Sequence, residues 1–509
     1  MVRARIEIGR LQRRLFERQR RLIASSVFGA GAAFRAYEQR VQRRTRTFRQ
    51  VASFAALLEE IARADVVYVG DYHTLKQAQR SFLKLVQRAQ RPVTLALEYV
   101  QARHQAALDA YLAGDDGALD GCVDAATWPN FRPILDEARA RRLTVVAIDL
   151  PGKSLHARDA FAARRIAAAA RPGGQVFVLA GQLHVAPPHL PAQVARLRPE
   201  LRGLTVYQNC ERIWWALQRE GRELEVEACV LRASEWCLIN TPPVVVQQSF
   251  LDTLEGGEQL DGAFLESRFR MLARTVARFL GLWAPALRNE LQQVSVYTAG
   301  DLSFLDRLEV TARERREIEQ QILSRESYYI PRARIAYLAN LSVNHAAEEA
   351  AHFVRHVVSG ADDAPRGMVD SFYARALEEA YAFCGSKIVN PRRKCPHEPE
   401  FQRLAKAPEA GAFNRQVAKL VLHHRAMERG GRRPAKATRL AGPALFNAVT
   451  HSLGYMLGER LYYALATGRL LKREVRDLFL DPLDAHGEPL AAYMRLSRRL
   501  AGVRIPKRI

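Results

Sequence analysis

No two cysteines in this chain are close enough to form a C-x-x-C pair. The six stand at 122, 210, 229, 237, 384 and 395, a spacing that supports neither a disulfide framework nor a zinc ribbon. Reduced thiols are expected. No run of 18 consecutive apolar residues occurs, so a membrane-spanning helix is not expected. The N-terminal region offers only a short, weakly apolar stretch, Leu22 to Ala33, which gives neither a secretory leader nor a lipoprotein anchor. A cytoplasmic chain is the expectation. P-loop, nucleophile-elbow and Rossmann glycine motifs are missing, and no fixed-period repeat is found. Lysine is absent from the first 50 residues, where 14 Arg face three Glu.

What is present is a globular composition, with 48% hydrophobic and 26% charged residues over 509 positions. That length allows two or three domains with their own cores. The net charge is +23. The arginine-rich residues 1–50 could meet phosphates, most simply on an anionic membrane surface. Specific nucleic-acid binding is not expected, because no aromatic-studded single-strand platform accompanies the arginines.

Residues 1–60 read as a basic helical segment, with Ile6, Leu11, Leu15 and Leu22 at near-helical spacing. A different rhythm follows. Apolar runs of four or five residues occur at Val66–Val69, Val93–Leu97, Thr144–Ile148, Val176–Ala180 and Leu204–Tyr207. Helical periodicity fills Leu75–Gln90, Gln101–Leu112 and Phe131–Arg141 between them. This alternation predicts an α/β domain over 61–257, with a mostly parallel sheet flanked by helices. From 258 to 509 the pattern predicts an all-α domain. Its helices are expected at 263–282, 312–324, 333–359, 367–383, 413–429, 445–467 and 490–500, punctuated at Asn390–Pro399 and Gly430–Pro434.

Ligands of a parallel sheet bind beyond the carboxyl ends of its strands, so the residues that follow each run carry the chemistry. The chain there reads Gly70-Asp71-Tyr72-His73, Glu98-Tyr99, Asp149-Leu150-Pro151 and Gly181-Gln182-Leu183-His184. Two G-x-x-H turns and three carboxylates are thereby delivered to one rim. Glycine lets each turn fold tightly enough to aim the following side chain over the sheet edge. Imidazoles and carboxylates together can ligate a metal or move protons.

These residues carry a family resemblance. VVYVGDYH (66–73), LALEYV (95–100), QAALDAYLAG (105–114), Trp128 followed by FRPILDEAR (131–139), VVAIDLP (145–151) and VLAGQLHV (178–185) occur in that order. The series resembles the ChaN-like haem-binding proteins of the superfamily that includes Tiki, TraB and erythromycin esterase. The resemblance implies a haem- or iron-associated binding protein whose ligand is haem or another small molecule. Tyr72, Tyr99, His73 and His104 are the candidate haem ligands. It implies, alternatively, a metal-dependent hydrolase in which His73 and His184 hold a divalent metal or a water and Glu98 is the general base, with Asp71 beside them. The chain departs from the family pattern at Asp71, where Glu is usual, and at Asp149, where Asn is frequent. The shorter Asp71 moves a ligating or proton-accepting oxygen by about an ångström.

A second cluster lies at 345–356. His345, Glu348, Glu349 and His352 share one helix face at offsets of three, four and seven. The pattern is similar to half of a carboxylate-bridged bundle site, but no second Glu-x-x-His accompanies it. Alanines at 346, 347, 350 and 351 predict close helix packing, with the polar stripe solvated or lining a cleft. His451 reads as a structural histidine. Gly454 and Gly458 predict a close helix–helix contact around it.

Overall fold

The computed structural model describes residues 3–26, 32–255, 262–323, 326–360, 366–430 and 442–506. The expected domain boundary at 257/258, most of the Gly430–Pro434 break and part of Leu22–Ala33 lie outside the described residues. The chain divides into two compact units, residues 16–254 with 506–509, and residues 1–15 with 255–505.

α1 (Arg3–Ser26) is divided between the units at Leu15/Phe16. In the α/β unit, α2 (Ala32–Arg44) leads into β1 (Gln50–Ala52) and α3 (Phe54–Arg63). Then follow β2 (Val66–Asp71), α4 (Lys76–Gln87), β3 (Val93–Gln101), α5 (Gln105–Ala113), α6 (Trp128–Ala140), β4 (Thr144–Asp149), α7 (Leu155–Ala169), β5 (Gln175–Gly181), α8 (Leu190–Leu197) and β6 (Gly203–Gln208). The unit closes with α9 (Glu211–Glu220), β7 (Ala228–Arg232), β8 (Glu235–Leu238) and α10 (Pro243–Glu255). The eight strands form one sheet, in the order β1-β7-β8-β6-β2-β5-β3-β4. All neighbours pair in parallel except at β7, which runs antiparallel to both β1 and β8.

The five apolar runs are β2 to β6, five of the six strands of the parallel part, which β8 completes. Their continuity follows from burial on both faces. Val67, Val69, Leu95, Leu97, Phe177 and Leu179 enter one core, while Val66, Tyr68, Ala96, Val176, Val178 and Ala180 enter the other. Residues 50–52 are the exception to the helical reading of 1–60, since their backbone pairs with β7.

The second unit is helical, as its pattern predicts. It contains α11 (Gly262–Leu280), α12 (Pro285–Gln292), β9 (Ser295–Thr298), α13 (Ala312–Leu323), β10 (Tyr328–Ile330), β11 (Ile335–Leu338), α14 (Val343–Ser359) and α15 (Met368–Val389). It ends with α16 (Glu398–Lys406), α17 (Gly411–Arg429), α18 (Pro443–Thr467), α19 (Lys472–Leu480) and α20 (Glu488–Leu500). The all-α expectation needs one correction: β10, β11 and β9 form a small sheet in that order. The helix expected over 333–359 therefore starts only at Val343, where Ser342 accepts a hydrogen bond from the His345 amide as N-cap. Ile335–Leu338 instead pairs with both neighbouring strands.

Close packing at Gly454 and Gly458 is present. A Cβ on Gly458 would meet the Ala380 carbonyl oxygen at 2.3 Å, and one on Gly454 would meet the Ala376 carbonyl oxygen at 2.6 Å. A Cβ on Gly385 would meet the Ala351 Cβ at 2.5 Å. Small residues thus let α14 and α18 approach α15 at backbone distance.

Candidate functional site

The register of the sheet aligns the site. Asp71 on β2 lies opposite Gly181 on β5. The β3–β4 pairing slips between Leu97 and Gln101, so Glu98 stands at an irregularity that re-aims its side chain off the pleat. In the order β2-β5-β3-β4, the strand ends therefore present Asp71, the Gly181–His184 turn, Glu98 and Asp149 in sequence.

Two linked groups result. In the first, His73 Nδ1 lies 2.6 Å from the Asp71 Oδ2. Asp71 is buried and its other oxygen accepts from the Gln79 amide. The carboxylate is therefore fixed before the imidazole meets it. The His73 side chain is 45% exposed, and its Nε2 has no partner among the described residues. Burial works against protonation of His73, but the hydrogen bond to Asp71 and the charges of Asp71 and Glu98 prevail and raise its pKa to about 9. Beside it, the Tyr99 and Phe131 rings stack at 3.7 Å, 3° from parallel, and the His73 ring centroid lies 5.9 Å from that of Phe131.

The second group centres on Glu98. Its Oε1 accepts from Arg158 at 2.6 Å, and its Oε2 accepts from the Gly181 amide. His184 Nε2 is 3.4 Å from the Glu98 Oε1, and its Nδ1 is 2.6 Å from the Asp159 Oδ1. Asp159 also accepts from the Tyr37 hydroxyl at 2.5 Å, and Arg158 donates to Asp149 at 2.7 Å. Burial alone would push the Glu98 pKa up. The charges of His184 and His73, the Gly181 amide and Arg158 hold it below the usual value instead. Burial likewise opposes a charge on His184, and Asp159 with Glu98 overcomes it and raises the pKa.

Asp71, His73, Glu98 and His184 thus meet at one rim. Tyr72 and His104 do not join them. The Tyr72 hydroxyl accepts from Gln182 at 2.9 Å, and its ring packs with Leu75, Ala78 and Val246. His104 follows the end of β3, where its Nε2 accepts from Arg103 at 3.0 Å. Tyr99 is nearby through its ring, but its hydroxyl donates to the Asp124 carbonyl. The sequence reading passed over Arg158, Asp159 and Tyr37. Arg158 and Asp159 lie on the first turns of α7, several residues past the end of β4, where Ser154 accepts from the Ala157 amide as N-cap. Tyr37 comes from α2, ahead of the sheet, and no local pattern marks it.

Residues 57–157 match the family described as haem-binding uptake, Tiki superfamily, ChaN. The ChaN-like match covers about a fifth of the chain. It contains Asp71, His73, Glu98 and Asp149 but ends before Arg158, Asp159 and His184. ChaN of Campylobacter jejuni, in a solved structure described as showing cofacial heme binding, is 14% identical over 37% of this chain and 92% of its own, with a TM-score of 0.29. At that score the likeness carries no argument. No curated protein matches the chain.

Proposed function

We propose that the α/β unit binds haem, with His73 Nε2 as an axial ligand to the iron. The carrying observation is the His73–Asp71 pair: an accessible imidazole whose Nδ1 is held by a buried carboxylate and whose Nε2 is open. A carboxylate on the far nitrogen fixes the ring's orientation and raises its donor strength, the arrangement seen where histidine ligates a metal. Imidazole is a common axial ligand to haem iron, and the Tyr99–Phe131 stack, with Phe131 buried, lies beside it. The family matched by residues 57–157 supports the same reading. Bound haem would supply an iron centre, and the chain supplies its orientation.

The hydrolase alternative, with His73 and His184 on a divalent metal and Glu98 as general base, has less support. Arg158 and the Gly181 amide occupy both oxygens of Glu98. His184 and Glu98 serve better as the fixed electrostatic floor of the site.

We propose in addition that the exposed arginines of α1, among them Arg10, Arg13, Arg14, Arg18 and Arg21, meet anionic lipid headgroups, while Ile8, Leu11, Leu15 and Phe16 on the same helix are buried.

Titration of the purified full-length chain with haem, read at the Soret band, tests the first reading. Saturation at one equivalent is expected, with affinity at least about tenfold weaker in His73→Ala. A His104→Ala control should bind as wild type does. A wild-type chain that leaves the Soret band of free haem unmoved at stoichiometric concentration overturns the reading.

A further inference from the structure

The helical unit contains a polar cavity built from α14, α15, α18 and the segment before β10. Glu348 and Glu349 are 3% and 4% exposed, and Glu379 is 3% exposed. The polar stripe of α14 is therefore not solvated. It faces a small, largely enclosed space of about 10 Å³, roughly the room for one water-sized occupant. Glu326, His345, Glu348, Glu349, His352, Glu379 and His451 all line it.

Two arginines divide the carboxylates in the same way. Arg393 takes Glu348 Oε2 at 2.7 Å, and Glu348 Oε1, buried, has no hydrogen-bond partner. Arg375 takes Glu379 Oε1 at 2.7 Å, and Glu379 Oε2 lies 3.7 Å from His352 Nε2 and 3.9 Å from His451 Nδ1. Each carboxylate is thus anchored through one oxygen and presents the other to the cavity. One ligand atom each of Glu348, Glu379 and His451 falls within 4.8 Å of the others. Donors ~2.1 Å from a tetrahedral ion are ~3.4 Å apart, so an inward movement of about an ångström would bring these atoms onto a coordination sphere. An unpaired carboxylate oxygen in a dry interior is costly, and a cation in the cavity would satisfy it.

We propose that this cavity is a binding site for one divalent first-row transition ion, held by Glu348, Glu379 and His451, with His352 as a further donor. Mixed carboxylate and imidazole donors suit zinc, manganese or ferrous iron over calcium or a thiophilic ion. Carboxylate and imidazole three residues apart on one helix suggested a bundle site lacking its partners. The partners come from α15 and α18 as single residues, without a repeated motif.

The full-length chain, stripped with a chelator and reloaded with Zn(II) or Co(II), tests the proposal. About one zinc per chain should survive gel filtration. Glu379→Gln and His451→Ala should each lower retention at least about tenfold, and His73→Ala/His184→Ala should leave it unchanged. Equal retention in the Glu379 and His451 variants, or loss in the His73/His184 variant, overturns the site. Should the Glu379 and His451 variants fail to fold, Co(II) bound to the His73→Ala/His184→Ala chain decides. Ligand-field bands without thiolate charge transfer support the site. A thiolate band, which would place the ion near Cys395, His397 and Glu459, or no visible band, overturns it.

Discussion

At the scale of single residues, the Asp71–His73 pair ties stability to pH. An unfolded histidine titrates near ~6.5, and folded His73 near 9. Below pH ~6.5 both states hold the proton and the pair's contribution is complete. As pH rises toward 9 only the folded state keeps it, so the contribution is progressively lost. In the ligand-free chain, His73→Gln should therefore flatten the fall in Tm between pH 6.5 and 9, by an amount that salt reduces because the ring is nearly half exposed. An unchanged Tm–pH profile would show that the pair is not formed in solution. Glu98 acts in the opposite direction: its lowered pKa stabilises the fold above ~4.5 and the effect is lost as pH falls. Glu98→Gln removes the negative charge shared by Arg158 and His184, and replaces one of the two acceptor oxygens that serve Arg158 and the Gly181 amide with an amide donor. A loss of about 1–3 kcal/mol is expected by denaturant titration, and a neutral result would refute the role given to Glu98. Asp71, His73, Glu98 and His184 were legible because each lies within four residues of the end of an apolar run, although β3 itself continues past Glu98 to Gln101. Arg158, Asp159 and Tyr37 were not, because helices deliver them from positions with no fixed offset to a strand.

At the scale of elements, backbone proximity organises the helical unit. Gly458 touches the Ala380 carbonyl closely enough that no side chain fits. Gly458→Ala must push α18 from α15, at a cost of about 1–3 kcal/mol. Because Glu379 and His451 sit on those two helices, the same variant should weaken zinc retention. Normal stability with normal retention would contradict the packing described. The parallel strands could be read from the sequence because burial on both faces leaves a continuous apolar run. β9, β10 and β11 could not, since strands of three or four residues span only about one helical turn and show no alternation of their own. The alanine-rich stretch through residue 351 extended that pattern over β11. β1 was hidden similarly, by its three residues between two helices.

At the scale of the whole molecule, charge and ligand dominate. The net charge of +23 and the exposed arginine face of α1 predict that the full chain sediments with phosphatidylserine vesicles at low salt. That binding should be released near ~0.5 M NaCl, where the Debye length is only a few ångströms, and be lost when the five arginines are replaced by glutamine. Binding that resists both would rule out an electrostatic contact. Among the described residues no helix is long and apolar enough to cross a membrane, and none of the six cysteines is in a disulfide. In the proposed complex, haem iron takes the His73 imidazole that Asp71 holds. Replacing His73 with glycine and adding free imidazole tests it most directly. The account predicts that haem binding and the wild-type Soret position are lost in His73→Gly and restored by millimolar imidazole. A His73→Gly chain that binds haem with the wild-type spectrum in the absence of imidazole would contradict it.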